Sequence, residues 1–223
     1  MASVTRRPQA TREQRRGDIE RRLLAATEQL MTAGASFTEL SVERLAAQAG
    51  ISRASFYIYF QDKGELLRRL AAHVFGDLTA AAQNWWRVAW RSDPADVHRG
   101  MAGIIASYRQ HQALLIALSE MSGYDEQVSE TYRELVAGVA AALTAVIEAG
   151  QADGSIHADL PAAATAAALT WMVERSCQQG LPGSPPEYDA TLADALTAIV
   201  RGALYPARRS DGDQVVGVHR RTT

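Results

Sequence analysis

Ser41-Val42-Glu43-Arg44-Leu45-Ala46-Ala47-Gln48-Ala49-Gly50-Ile51-Ser52-Arg53-Ala54-Ser55-Phe56-Tyr57-Ile58-Tyr59-Phe60 is the stretch whose reading decides the fold. It reads as two short helices meeting at a glycine, a helix-turn-helix pattern. Ser41 is a good N-cap, Glu43 sits in the first turn where the helix dipole favours a negative charge, and Leu40 is placed to staple onto Leu45. A helix is therefore predicted to start at Val42. It is predicted to stop at Gly50, which takes a left-handed conformation without steric cost. Ser52 then caps a second helix, with Ile51 stapling onto Phe56.

The makeup of that second helix points to a DNA reader. Arg53 and Ser55 lie near its N-terminal end, and Tyr57 and Tyr59 follow. A helix fits the major groove of B-DNA, where arginine pairs bidentately with guanine and a hydroxyl serves several bases. The N-terminal residues of a recognition helix are the ones that reach base edges. Phe56 and Phe60, four apart, share the opposite face and anchor the helix to its domain. The competing reading is a plain helical hairpin with exposed tyrosines.

The run Gly50-Ile51-Ser52-Arg53, then Phe56-Tyr57, then Tyr59-Phe60, Lys63 and Leu66-Leu67 resembles the DNA-binding signature of the TetR family of transcriptional repressors. The motif resemblance covers about residues 19–70 and is only architectural beyond. Asp62 stands where a serine is common and Gly64 where a glutamate is common. Asp62 is itself a competent cap, with Glu65 completing a capping box. Gly64 costs that first turn about 0.5–1 kcal/mol relative to alanine. The resemblance implies an all-α protein of about nine helices, with a three-helix DNA-binding domain over 18–62 and a ligand-binding and dimerisation bundle over 63–206. It implies a homodimer built through the last two helices, and Lys63 matches the family's phosphate-contacting lysine. One recognition helix reads too few base pairs to be specific, so a two-fold protein on a pseudo-palindromic double-stranded DNA operator follows. Arg53 and Ser55 are the candidate base readers and Tyr57 serves both roles. Ser41, Ser52, Tyr59 and Lys63 are candidates to hold phosphates. The function implied is a repressor released by a small, largely apolar effector. The alternative is a DNA-binding regulator without an effector.

Composition agrees with this frame. Alanine and leucine dominate the 223 residues, and strand-like alternation is scarce. One cysteine, Cys177, excludes an internal disulfide and fits a reducing compartment. The first residues hold no apolar core of a signal peptide. The longest apolar runs, 135–147 and 161–173, are 13 residues each and fall short of a membrane span. A soluble, cytoplasmic protein with no membrane partner is expected. Residues 1–70 carry 12 basic against 8 acidic side chains, while 71–205 carry 7 against 15. A basic front on an acidic body suits phosphate binding at one end.

In chain order, residues 1–17 carry Arg6, Arg7, Arg12, Arg15 and Arg16 without apolar periodicity and are expected to be a disordered basic arm. Such an arm either lies along phosphates or is merely solvated. A first helix is predicted from Asp18, stopping at Gly34, with Phe37 and Leu40 tucked beneath it. A long helix starts at Asp62 or Lys63 and reaches toward Trp90, with Trp85, Trp86 and Trp90 crowding its end. Helices are predicted over 94–110, 113–121, 125–149 and 161–178, the third closed by Gly150. A last helix ends at Pro206, and residues 207–223 form a polar tail expected to be disordered. In the body, Tyr108, Met121 and Tyr132 are candidates for a pocket wall, since methionine and aromatics adapt to apolar guests. Thr170 and Glu174, one turn apart, are suited to hold a polar head, with Trp171 between them. Each of these also fits a filled core.

An enzyme is the rival class. His73, His98, His111, His157 and His219 are scattered, with no His-Glu-x-x-His pattern and no glycine-rich phosphate loop after a strand. No cofactor or metal is expected, and Cys177 reads as a small buried hydrophobe.

Overall fold

The computed structural model describes residues 12–206. The parts of the expected arm before Arg12 and the expected tail at 207–223 lie outside the described residues. Among the described residues every regular element is helical. The helices are α1 (Arg12–Thr32), α2 (Val42–Gln48), α3 (Arg53–Tyr59), α4 (Lys63–Trp86), α5 (Pro94–Gln110), α6 (Gln112–Met121), α7 (Glu126–Asp153), α8 (Ala162–Gly180) and α9 (Tyr188–Leu204), with a single 3-10 turn at Ala89–Arg91. Helices α4 and α7 are central: α5 and α6 pack on α4, α8 packs on α7, and α9 lies on α5.

Local chemistry sets the reading pair as expected. Ser41 Oγ accepts from the Arg44 amide at 3.2 Å and Ser52 Oγ from the Ser55 amide at 3.0 Å. Gly50 ends α2 with φ +65°, a left-handed conformation that disfavours any side chain. Leu40, Leu45, Phe56 and Phe60 are buried. Asp62 caps α4 by accepting from the Glu65 amide at 2.7 Å, and Glu65 answers by accepting from the Gln61 amide at 2.8 Å. Gly64 has a use that its sequence position does not reveal. A Cβ there would stand 2.8 Å from the Asp125 carboxylate, which caps α7 through the Val128 amide.

Several boundaries differ from the sequence reading, each for a tertiary reason. Helix α1 begins at Arg12 rather than Asp18, so residues 12–17 belong to a helix, not to a disordered arm. Arg16 explains this: it pairs with Glu20 at 3.2 Å, donates to the Tyr59 carbonyl at 3.4 Å and lies 3.7 Å from Glu65. Helix α4 stops at Trp86, and Trp90, beyond the break, is exposed with Arg91 over its ring. Gly150 does not close α7; the helix runs to Asp153 and ends at Gly154 with φ +79°. By length and composition α7 contains a stretch apolar enough to cross a bilayer, because the apolar run at 135–147 continues past Glu148 through Ala149 and Gly150. Its inner face, Val128, Val136, Leu143 and Ile147, is buried in the bundle.

Side-chain ties fix the remaining elements. Trp85 Nε1 donates to the Tyr205 hydroxyl at 3.0 Å, joining α4 to the end of α9. Arg109 on α5 pairs with Asp189 at 2.6 Å and donates to the Leu181 carbonyl at 2.6 Å and to Ser184 Oγ at 3.0 Å. One guanidinium thus orders the connection between α8 and α9. At the junction of α5 and α6, buried His111 places Nδ1 2.6 Å from Glu28 on α1 and Nε2 3.2 Å from Asp77 on α4.

The hydrogen bond to Glu28, which outweighs burial, together with the two carboxylate charges raises the His111 pKa above its ordinary value. A raised folded-state pKa gives stability that is full below the unfolded value of about 6.5 and lost as pH rises through the folded value. Thermal melts across that range are expected to show wild-type stability falling with pH. His111→Gln is expected to cost about 1.5–3 kcal/mol on the acid side and less on the alkaline side. A pH-independent difference between the two proteins would exclude the imidazolium as the cause.

Candidate nucleic-acid interface and body cavity

The exposed face of α3 is built by the same contacts that bury its other face. Phe56 and Phe60 pack with ring centroids 5.3 Å apart and hold the helix on the core. This leaves Arg53, Tyr57 and Ile58 outward, with Tyr57 47% and Ile58 69% exposed. The Arg53 guanidinium lies 5.6 Å from the Tyr57 ring centroid and pairs with Glu43 on α2 at 2.5 Å. Both partners of that pair are largely exposed, so it is weak and exchangeable. Ser55 Oγ is 2.9 Å from Ser52 Oγ, which ties it to the cap. Tyr59 is half-buried at the end of α3, and Ser41 is exposed at the start of α2.

Lys63 has a different setting from the other six residues named for this surface. Its Nζ donates to the carbonyls of Phe37 at 3.2 Å, Thr38 at 2.9 Å and Leu40 at 2.7 Å, and lies 5.6 Å from the Phe37 ring centroid. All three N–H donors therefore point at the turn between α1 and α2. Burial pulls its pKa below the ordinary lysine value. In this arrangement Lys63 is a clamp on that turn, with no donor left for a phosphate.

Two further residues on or beside α3 escaped the sequence reading. Ile58 sits between two tyrosines and faces out because Phe56 and Phe60 fill the buried positions of α3. Arg22 on α1 donates to the Gly50 carbonyl at 2.7 Å and so pins the inter-helix turn from outside. Nothing local in the sequence pairs these positions.

The body holds an apolar cavity of about 80 Å³ bounded by α4, α5, α7, α8 and α9. Phe75, Leu78, Trp85 and Trp86 of α4 supply one wall, and Tyr108, Thr170 and Glu174 are on the lining too. Glu174 is buried, and its Oε1 accepts from the hydroxyls of Tyr108 at 3.4 Å and of Tyr132. Burial, and then the Glu174 charge and hydrogen bond, raise the pKa of both tyrosines, so both stay protonated donors. Tyr132 thus reaches the cavity through Glu174 and also meets the rings of Phe75 and Trp171 edge-on. Met121 lies off the cavity wall, at the far end of α6, half-buried against the core. Trp171 faces a shallow outer groove between α7 and α8 lined by Arg133, Ala137, Ala141 and Ala167. The helical offset explains it: Thr170 and Glu174 share the inner face, and a residue one step on points away. Cys177 is buried, and burial pushes its thiol up to about 12, which makes it inert at neutral pH. Among the described residues no group of three or more His, Cys, Asp or Glu side chains is arranged for a metal ion.

Comparison with known proteins agrees with this two-part layout. Residues 23–70 match the model of bacterial regulatory proteins of the tetR family, and residues 97–206 match that of the transcriptional regulator EthR, C-terminal domain. The chain is 33% identical to the HTH-type transcriptional regulator EthR of Mycolicibacterium smegmatis, over 92% of this chain and 95% of that protein. It is 29% identical to the EthR of Mycobacterium tuberculosis, over 86% and 89%. The fold matches a TetR-family structure from Rhodococcus sp. with a TM-score of 0.68 at 20% identity, covering 84% of this chain and 99% of that one. With a capped helix-turn-helix at one end, a helical body behind it and relatives that are regulators rather than enzymes, the chain belongs to the TetR family of helix-turn-helix transcriptional regulators.

Proposed function

We propose that the chain is a ligand-responsive repressor: a homodimer that binds a pseudo-palindromic operator and releases it when a small, largely apolar molecule enters the body cavity. The observation that carries this reading is the double role of α4. Its middle and end line the cavity through Phe75, Leu78, Trp85 and Trp86, while its first residue, Lys63, grips the turn that leads into α2. Anything that wedges the cavity open moves α4, and α4 cannot move without the reading helices. At about 80 Å³ the cavity must widen to admit a drug-sized guest, so binding and displacement are one event.

The dimer reading rests on the outer faces of α8 and α9. Trp171 is 38% and Ile199 50% exposed, and Ala164, Ala168, Ala195 and Ala198 lie exposed along the same two helices. Small residues let two helix pairs approach closely, and two copies related by a two-fold axis present two α3 helices to one duplex. Arg53, Ser55 and Tyr57 are the base readers in this reading, with Ser41, Ser52 and Tyr59 on phosphates. Lys63 serves them by holding the turn. Tyr108, Thr170 and Glu174 meet the effector, and Tyr132 positions Glu174.

Selection of bound sequences from random DNA, repeated with small-molecule mixtures, tests operator, symmetry and switching together. A half-site without a two-fold mate, or enrichment that no mixture changes, would overturn the dimer or the effector reading respectively. Arg53→Ala is expected to lose about 1–3 kcal/mol on the selected operator and to relax preference at one base pair, with little change on random DNA. Equal losses on both would remove Arg53 from the base readers. Lys63→Ala is expected to weaken operator and random DNA alike and also to lower stability by about 1.5–3 kcal/mol, the worth of charged hydrogen bonds. Weakened binding at unchanged melting temperature would return Lys63 to the phosphate backbone.

A further inference from the structure

The cavity wall is apolar except around Glu174 and Thr170 on α8 and at Trp86 on α4, whose indole Nε1 is a buried donor without a partner, and the hydrogen bonding at Glu174 is lopsided. The Glu174 side chain is 7% exposed, and both tyrosine hydroxyls, Tyr108 at 3.4 Å and Tyr132, go to the same oxygen, Oε1. The other oxygen, Oε2, is buried with no hydrogen-bond partner. The Arg175 guanidinium lies 3.8 Å from it, outside hydrogen-bond range, on a side chain more than half exposed. One turn back on the same helix face, Thr170 Oγ1 is also buried and unpartnered, and both residues line the cavity. A buried polar atom left unsatisfied carries a desolvation penalty, larger when it is charged. Two such oxygens, a carboxylate that accepts and a hydroxyl that both accepts and donates, stand four residues apart on one cavity-lining helix without a partner.

We propose that the effector carries a cationic, donor-rich head, a protonated primary amine or an amidine, on a compact apolar body, and that Glu174 Oε2 and Thr170 Oγ1 receive that head. This rests on the effector reading and narrows it. The chemistry separates the classes of head. An ester, ketone or carboxylate brings only lone pairs to Glu174 Oε2, an oxygen in need of a donor. An alcohol brings one neutral donor. An ammonium brings three donors and the opposite charge, and charge-assisted hydrogen bonds are roughly twice as strong as neutral ones. The tyrosines supply selectivity by occupying Oε1, so the head can enter only at Oε2. The rest of the wall, with Leu78, Val139, Leu143 and Val173, suits an unbranched hydrocarbon.

The test uses the full chain with three matched probes, n-octylamine, 1-octanol and octanoate, measured by titration calorimetry and by release of the selected operator. Octylamine is expected to bind about tenfold or more tighter than octanol, with octanoate weakest. Glu174→Gln, checked for retained helicity, is expected to bring amine and alcohol to within about twofold of each other. Equal binding of amine and alcohol to the wild-type protein, or an amine preference that survives Glu174→Gln, overturns the proposal. If the variant does not fold, the wild-type ratio decides alone. Octanol that binds and releases DNA without any amine preference sinks the cationic head but leaves the effector reading standing. Failure of all three probes to bind sinks both.

Discussion

Three carbonyls converging on one ammonium hold the reading head to the rest of the molecule. Lys63 Nζ meets the backbone oxygens of Phe37, Thr38 and Leu40 within 3.2 Å, above the ring of Phe37. Leu40 is followed at once by Ser41, the cap of α2, and α2 carries α3 through the Gly50 turn. The start of α4 therefore sets the start of α2, and the Phe56 and Phe60 anchors carry that placement to Arg53 and Tyr57. Helix α4 has 24 residues, roughly 36 Å at about 1.5 Å per residue, and its other end is tied by Trp85 to Tyr205. A rod clamped at both ends moves as a whole.

A second tie runs through α1. His111 bridges Glu28 and Asp77, and His73 on α4 meets Glu20 on α1 at 3.1 Å. The head is thus held by α4 directly and by α1 through two imidazole–carboxylate contacts. Magnitudes decide whether such ties matter for switching. Allosteric couplings are typically about 1–3 kcal/mol, and one hydrogen bond to a charged group is worth about 1.5–3 kcal/mol. In the proposed switch, straining a single one of these contacts supplies a coupling of that size without wholesale rearrangement.

The parts of this architecture that were legible in the sequence are those decided within one or two turns. Caps at Ser41, Ser52 and Asp62 and the left-handed turn at Gly50 depend on residues within one or two turns, and the structure has each of them where the spacing puts it. What could not be read depends on partners far along the chain. The early start of α1 needs Tyr59 and Glu65 beside Arg16. The glycine at 64 makes sense only once the Asp125 carboxylate is beside it. The pocket shows the same division. Helical spacing pairs Thr170 with Glu174, and the two do share the cavity face, whereas the chemistry that favours Met121 and the sequence position of Trp171 say nothing of helix register, which sends both elsewhere. Lys63 was legible as important but not as a clamp, because its acceptors are backbone oxygens that no sequence motif records.

Helix α8 brings the two halves of the proposed mechanism onto one element. Its inner face carries Leu169, Glu174 and Cys177 into the bundle, and its outer face shows Ala164, Ala168, Trp171 and Arg175. Trp171 touches the Tyr132 ring, and Tyr132 donates to Glu174, so the outer face and the buried carboxylate are in contact through two side chains. A ligand that draws Glu174 toward its own head loosens its hold on Tyr132, and Tyr132 packs edge-on against both Trp171 and Phe75 of α4. The same displacement therefore presses on α4, which leads to the reading head, and on the face where the partner is proposed to sit. Linkage requires the reverse as well: a partner or an operator that fixes those surfaces raises the cost of opening the cavity, so DNA-bound dimers should hold the effector less tightly than free ones.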